Sequence, residues 1–360
     1  MHRETINLIV AGTTFTGWKS ATLKKSIEEC CGSFEFTLIT MNELQKATLV
    51  PQAPCQVRIG DTSFLDGYID KVSGTIGEEG LLYKISGRDK TEDFVDCSID
   101  IPPFSWKSIT VFMLASKICN QFGLSLKRSG TFSDEKTEVN LDTGERGFDA
   151  LSRYAKARNL LITTDNHGTI LLGRPGTEKS DDPLVYGKNL IRYSFDYDGS
   201  ERFYKYLIKS VKNSTVSGSP WSKASLSVSG FALDKEVRTS RKMILSASGT
   251  DTNQSARDRA MWEASSRASR SESHSAVLSG FRQSTGKLWE HNKLVDVSIQ
   301  SEYIEITTEM LISSVTYSYV GEGDGRKTIL ELRRRDSYTE YQAPEIKSKK
   351  KKAGVVWSKV

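Results

Sequence analysis

Through the first hundred residues apolar and polar side chains trade places at every second position. Phe34, Phe36 and Leu38 alternate with Glu35, Thr37 and Ile39, the signature of a strand with one face in a core. Gly12, Gly17, Gly32, Gly60, Gly67, Gly74, Gly77, Gly80 and Gly87 fall at turn-like intervals, so residues 6 to about 97 predict successive strands. A barrel or sandwich is the natural closure, because a closed sheet leaves no edge unpaired. After Pro102-Pro103 the period lengthens. Val111, Phe112, Ala115, Ile118, Cys119 and Phe122 follow helical spacing, with Ser108 as cap and Gly123 as terminator. A second helix is expected from Gly147 or Phe148 to about Asn159, with Phe148, Leu151, Tyr154 and Ala155 on one stripe. Leu160 to Thr163, the turn Asp165-Asn166-His167-Gly168 and Ile170-Leu171-Leu172 then predict a hairpin.

Strands return from Asn189 to Val211, with Tyr193, Phe195 and Tyr197 on one face. Residues 214–229 are rich in Ser and Gly and predict a mobile loop or a long hairpin tip. Thr250-Asp251-Thr252 caps an expected helix, 252–270, whose inner stripe is Ala256, Ala260, Met261, Ala264 and Ala268, while Arg257, Arg259, Arg267 and Arg270 lie largely elsewhere. The expected organisation is a barrel-like domain over 1–100, a small α+β domain over 101–175, a second barrel-like domain over 176–340, and a basic flexible tail over 341–360.

One order of strands occurs twice. Val57-Arg58-Ile59, then 64–72, then Leu82 to Arg88 is echoed by 294–299, then 309–317, then Thr328 to Arg333. Each set ends near a basic-acidic pair, Arg88-Asp89 or Arg335-Asp336. A chain with two similar β-domains presents six of them when it forms a trimer, and such an array can mate with a hexameric ring.

Composition narrows the chemistry. The net charge of +5 is largely local to Lys347, Lys349, Lys350, Lys351 and Lys352, so a nucleic-acid footprint over the whole protein is not indicated. That tail reads as a solvated end, with a nucleic-acid arm, a membrane-surface patch or a docking peptide as the functional alternatives. Cys30, Cys31, Cys55, Cys97 and Cys119 are odd in number and lack metal-ligand spacing, which predicts reduced structural thiols. The histidines His2, His167, His274 and His291 fall in no zinc frame, and there is neither a P-loop nor a G-x-S-x-G elbow. Carboxyl pairs such as Glu92 with Asp93, or Asp134 with Glu135, are weighed as a glycosidase pair, against the prior that such residues are solvated surface. No apolar run reaches about 18 residues and no signal-peptide core follows Met1, so no membrane insertion is expected. No cofactor and no metal are expected either.

The segment Gly286-Lys287-Leu288-Trp289-Glu290-His291-Asn292-Lys293-Leu294-Val295-Asp296-Val297, followed by residues 309–317 and 328–332, resembles the C-terminal signature of contractile-tail phage hub proteins. Ala256-Arg257-Asp258-Arg259-Ala260-Met261-Trp262-Glu263 and Asp66-Gly67-Tyr68-Ile69-Asp70-Lys71-Val72 with Ile85-Ser86-Gly87-Arg88-Asp89 are similar to the same group. Within the wider late control protein D group, the resemblance is to baseplate hubs of Mu-like phages and prophages, and it covers residues 6 to about 341. It implies a non-enzymatic structural protein of the virion tail baseplate, assembled in the host cytoplasm as a homotrimer similar to the hub of T-even phages. Its partners would be the tail spike, the tail tube and other baseplate proteins, with DNA only in transit through a central channel. Candidate subunit or partner contacts are Tyr68, Val72, Arg257, Arg259, Arg267, Val315, Tyr317 and Lys350. The alternatives are a tail-associated cell-wall hydrolase and a carbohydrate or nucleic-acid binding module.

Overall fold

The computed structural model describes residues 4–39, 43–78, 80–132, 134, 136–156, 160–176, 178–215, 223–246, 253–302, 304–321 and 325–338. The alternating stretches become strands β1 (Ile6–Val10), β2 (Thr13–Phe15), β3 (Ser20–Ser26) and β4 (Ser33–Leu38), then helix α1 (Glu43–Thr48), β5 (Pro54–Ile59), β6 (Thr62–Gly77) and β7 (Gly80–Asp89). Ile6, Leu8 and Val10 of β1 and Phe34, Phe36 and Leu38 of β4 are all buried, as their period-two spacing demands. A second group follows: α2 (Glu92–Asp96), β8 (Ser105–Ile109), α3 (Val111–Gln121), β9 (Leu126–Ser129), β10 (Thr137–Asn140), α4 (Gly147–Lys156), β11 (Leu161–Thr164) and β12 (Ile170–Gly173). The rest comprises β13 (Glu178–Lys179), β14 (Leu184–Val185), β15 (Leu190–Tyr197), β16 (Lys205–Thr215), β17 (Lys223–Leu233), β18 (Lys242–Ser246), α5 (Asn253–Arg270), β19 (Glu272–Ser279), β20 (Lys293–Gln300), β21 (Glu305–Val320) and β22 (Gly325–Arg333).

The described residues divide into two compact units, one within 1–201 and 266–340 and the other within 202–265. In the first unit a 14-stranded sheet runs β15-β19-β22-β21-β3-β4-β7-β6-β5-β1-β2, with β20 on β21 and the short β13 and β14 on β20. The two echoed sets are therefore real meanders, β5-β6-β7 and β20-β21-β22, joined by antiparallel pairing of β3 with β21. One core serves both: Leu8, Leu23, Phe36, Ile59 and Ile85 cluster with Ala276, Val295, Ile312, Tyr317 and Leu330. The expected barrels do not close. Among the described residues the sheet is open, with β15 at one end of the strand order and β2 at the other. The Arg-Asp echo is also out of step, since both meanders carry a bulge, before Lys71 and before Ser314, and pairing counted from it matches Arg88 with Arg333 rather than Arg335.

A separate core within the first unit, built from Phe94, Val111, Leu114, Ile118, Leu151, Ile162 and Leu172, packs α2, α3, α4 and the β11–β12 hairpin. The cap of α3 is Thr110 rather than Ser108, which lies in β8. The Thr110 hydroxyl accepts from Met113 N at 3.1 Å and the Asp134 carboxylate from Val111 N at 2.9 Å, so two of the orphan donors at the helix start are satisfied. Gly123 follows with a φ of 64°, the left-handed turn that ends helices. The expected hairpin pairs Leu161 with Gly173 through to Thr164 with Ile170, and residues 157–159 lie outside the described set.

In the second unit β16 pairs antiparallel with β17 and parallel with β18. Residues 223–229 of the Ser/Gly-rich stretch are strand, facing 209–215, so the hairpin alternative applies there, while 216–222 lie outside the described residues. Tyr206, Ile208, Val228, Ala256 and Ala260 form the core. The proposed cap of α5 also lies outside the described residues. Met261 is corrected: it is 60% exposed, because one residue beyond Ala260 is a rotation of about 100° away from the inner stripe.

Candidate assembly surfaces

β15 carries an aromatic ladder at its sheet edge. Tyr193, Phe195 and Tyr197 surround the buried His274, their ring centroids 5.6, 6.5 and 5.9 Å from it. The Tyr193 hydroxyl lies 2.7 Å from His274 Nδ1, and His274 Nε2 lies 2.7 Å from Glu272 Oε1. Burial is the main reason that the Tyr193 phenol is pushed above its ordinary range. Yet Ile191, Phe195 and Tyr197 remain 52%, 46% and 59% exposed. A strand edge that presents such side chains is a template for further pairing.

The β6–β7 hairpin is the second surface. Its approach is fixed by two glycines: a Cβ on Gly67 would come within 1.9 Å of the Arg88 carbonyl oxygen, and one on Gly87 within 2.0 Å of the Tyr68 carbonyl oxygen. At the bulge Arg88 Nε meets Asp70 at 2.8 Å and Glu92 at 3.4 Å, while its Nη2 meets Asp96 at 2.9 Å. Burial first, and then the neighbouring Asp70 carboxylate, push the Glu92 carboxyl up to about 8. Beyond the bulge, Val72 is half-buried and Ile76 is 84% exposed. Strand β5 covers one edge of β6 as far as Tyr68, and Gln52 N donates to Ile69 O at 2.7 Å. Residues 70–77 have no further strand partner on that edge among the described residues.

The expected contact residues separate into different classes. Tyr68 sits inside the sheet between Pro54 and Arg88, and Val72 lies on the open edge. Val315 and Tyr317 are corrected: both are buried, with β22 on one edge of β21 and β3 on the other. Tyr317 donates from its hydroxyl to the Trp289 carbonyl and packs edge-on against Phe64 and Phe281 at 5.7 and 5.5 Å. Alternation in a long strand signals a buried face but does not say which edge is occupied, so the sequence pattern does not separate these two from Val72. Arg257 is exposed; Arg259 pairs with Glu263 at 2.6 Å and stacks over Trp262, and Arg267 pairs with Glu201 at 3.0 Å. Lys350 lies outside the described residues. Ile76 and the Arg88 carboxylate cluster were missed; the Gly74-Thr75-Ile76-Gly77 tip, an isolated apolar residue between glycines, was the available signal for the first.

A cavity of about 470 Å³ is lined in part by Lys25, Phe64, Asp165, Trp289, His291 and Tyr317. Lys25 Nζ donates to the Asp165 carbonyl at 3.0 Å and to Asn166 Oδ1 at 2.8 Å, and burial lowers it to about 8. Burial, with Lys25 nearby, lowers His291 to about 3 and keeps it neutral. These contacts tie β3 to the β11–β12 turn, a bracing role. Among the described residues no group of three or more His, Cys, Asp or Glu is placed to hold a metal. Nor, among the described residues, is any helix long and apolar enough to cross a membrane.

Three family models match successive parts of the chain: the Mu phage baseplate assembly protein GpP-like N-terminal domain at residues 5–89, the baseplate hub protein gp44-like second domain at 91–174, and the GpP fourth domain at 252–340. Baseplate hub protein gp44 of Escherichia phage Mu is 30% identical over 342 residues, covering 93% of this chain and 89% of that protein. The chain belongs to the Mu-type baseplate hub family. The 43 kDa tail protein of prophage MuSo2 from Shewanella oneidensis is 27% identical with a TM-score of 0.78, covering 93% of this chain and 99% of that one. A tail protein from Neisseria meningitidis MC58 shares the fold at 16% identity, with a TM-score of 0.75 over 94% of this chain and 100% of that one. As a Mu-type hub, the protein is a non-enzymatic structural component of the phage tail baseplate, carried in the virion.

Proposed function

We propose that three copies of this hub form a ring that adapts the sixfold symmetry of a tail tube to the threefold symmetry of a spike, around a channel that passes DNA. The supporting observation is the duplication within one chain. The order β3-β4-β7-β6-β5 is matched by β15-β19-β22-β21-β20, every pairing antiparallel and each long central strand bulged at the same step. Three chains would then offer six near-equivalent sheet halves to a hexamer above, and three of every other feature to a trimer below. In this reading the two halves are the tube domains, Val72 and Arg257 face subunits or partners, and the hub assembles in the host cytoplasm before joining spike and tube.

The test is the mass of the purified chain by light scattering across a dilution series. A stable species near three times 40.2 kDa is expected. A monomer at every concentration, or a dimer, would defeat the adapter reading.

A further inference from the structure

The two halves of the sheet correspond residue by residue through their bulges. Asp70 of β6 and Ser313 of β21 are the positions skipped when each strand pairs with its hairpin partner. Counting outward from them, Val72, Gly74 and Ile76 occupy the places of Val315, Tyr317 and Tyr319. The correspondence continues across the ladders. Val72 faces Ile85 as Val315 faces Leu330, Ile85 faces Phe36 as Leu330 faces Ala276, and Phe36 faces Ala21 as Ala276 faces Tyr193. Strand β15 is thereby the counterpart of β3, with Tyr193, Phe195 and Tyr197 in the places of Ala21, Leu23 and Lys25.

One junction is unmatched. β3 adds to the edge of β21 with Lys25 opposite Val315, Leu23 opposite Tyr317 and Ala21 opposite Tyr319. The equivalent edge of β6, residues 71–77, carries no strand, and the strand equivalent to β3, namely β15, has no strand on its outer edge among the described residues, an isolated bridge from Tyr186 reaching only its first residue, Leu190. Within one chain these two edges are kept apart by the six strands between them in the sheet order.

We infer that β15 of one copy adds antiparallel to residues 71–77 of β6 in the next copy, repeating between chains the β3–β21 junction found within one. This rests on the ring reading above and supplies its contact. Transferring the internal register sets Asp198 opposite Lys71, Tyr197 opposite Val72, Phe195 opposite Gly74, Tyr193 opposite Ile76 and Arg192 opposite Gly77. The chemistry of the two strands agrees with that register. Lys71 meets an opposite charge. The Phe195 ring faces the position that has no side chain, whereas in the internal junction the smaller Leu23 faces the large Tyr317. Ile76, 84% exposed, and Tyr197, 59% exposed, gain cover from apolar neighbours, the type of cross-strand pair that stabilises sheets. Each copy offers one β15 and one β6 edge, so the contact is head-to-tail, the kind that generates rings.

Directed cross-linking of the full-length chain tests the register. Cys97, the exposed native cysteine, is first replaced by serine. Ile76→Cys with Tyr193→Cys should then give covalent dimers and trimers on a non-reducing gel after mild oxidation. Ile76→Cys with Phe195→Cys, two residues out of register, should give at least tenfold less. The mass by light scattering is read on the same samples, and circular dichroism verifies that both variants are folded. A trimer in which the matched pair does not cross-link, or cross-links no better than the shifted pair, overturns the strand pairing while leaving the ring reading intact. A monomer overturns both.

Discussion

Two buried polar residues show how single side chains set the balance in this hub. Tyr317 is 1% exposed and its hydroxyl donates to the Trp289 carbonyl. Tyr317→Phe keeps the ring contacts and removes one hydrogen bond, so a loss of about 1 kcal/mol is expected, read as a lower urea midpoint with unchanged assembly mass. A loss of oligomer in that variant would return Tyr317 to the contact surface. Glu92 sets a pH dependence. Its folded value of about 8 lies above the ordinary 4.5, so between those values the folded protein holds more protons than the unfolded chain. The group's contribution to stability is therefore full below the lower value and is lost as pH rises toward the upper one. Glu92→Gln, which cannot ionise, should gain on the wild type in urea midpoint between about pH 5 and pH 8. Parallel profiles would mean that Glu92 ionises as an ordinary carboxyl.

At the scale of elements, the hairpins depend on close backbone approach. Gly87→Ala would drive a Cβ to 2.0 Å from the Tyr68 carbonyl oxygen and 2.5 Å from the Phe34 ring, so β6 and β7 must separate. A cost of about 1–3 kcal/mol is expected from this overpacking, measured by denaturant unfolding, and an unchanged midpoint would show that the bulge absorbs the strain. The strands themselves were legible in the sequence because alternation reports burial directly: Phe34, Phe36 and Leu38 all point inward as their spacing required. The α3 stripe was legible for the same reason, while its cap was not, because Ser108 and Thr110 both suit the role and only the strand ending at Ile109 decides between them. The short α2 gave too few turns to show a period. Edges were the least legible feature. Val72 and Val315 have the same local pattern, and one is exposed to pairing while the other is covered by β3, a difference set by strands hundreds of residues away.

For the whole molecule, the two halves of the sheet are bound to one another through paired strands, side-chain bonds and one core. β3 is held by β21, and Arg282 donates to Thr62 Oγ1 at 3.1 Å and to the Ile59 carbonyl at 2.9 Å, while Arg326 Nε donates to the Glu4 carbonyl at 2.7 Å. A fragment of residues 1–100 would lose all of these bonds and would expose Leu23, Phe36 and Ile59, which share one core with Ile312, Tyr317 and Leu330. Such a fragment is expected to lack a cooperative urea transition and to self-associate through the bared β3 edge, whereas the full chain unfolds its shared sheet cooperatively. A fragment with a sharp transition and native near-ultraviolet circular dichroism would mean that each half stands alone. The distinction matters for assembly. If the internal junction is permanent, a ring of hubs has two kinds of seam: one fixed by folding at β3–β21, and one formed by association at β15–β6. Weakening the second should shift the protein toward folded monomers without unfolding it, and the same strand chemistry in the first should act on folding itself.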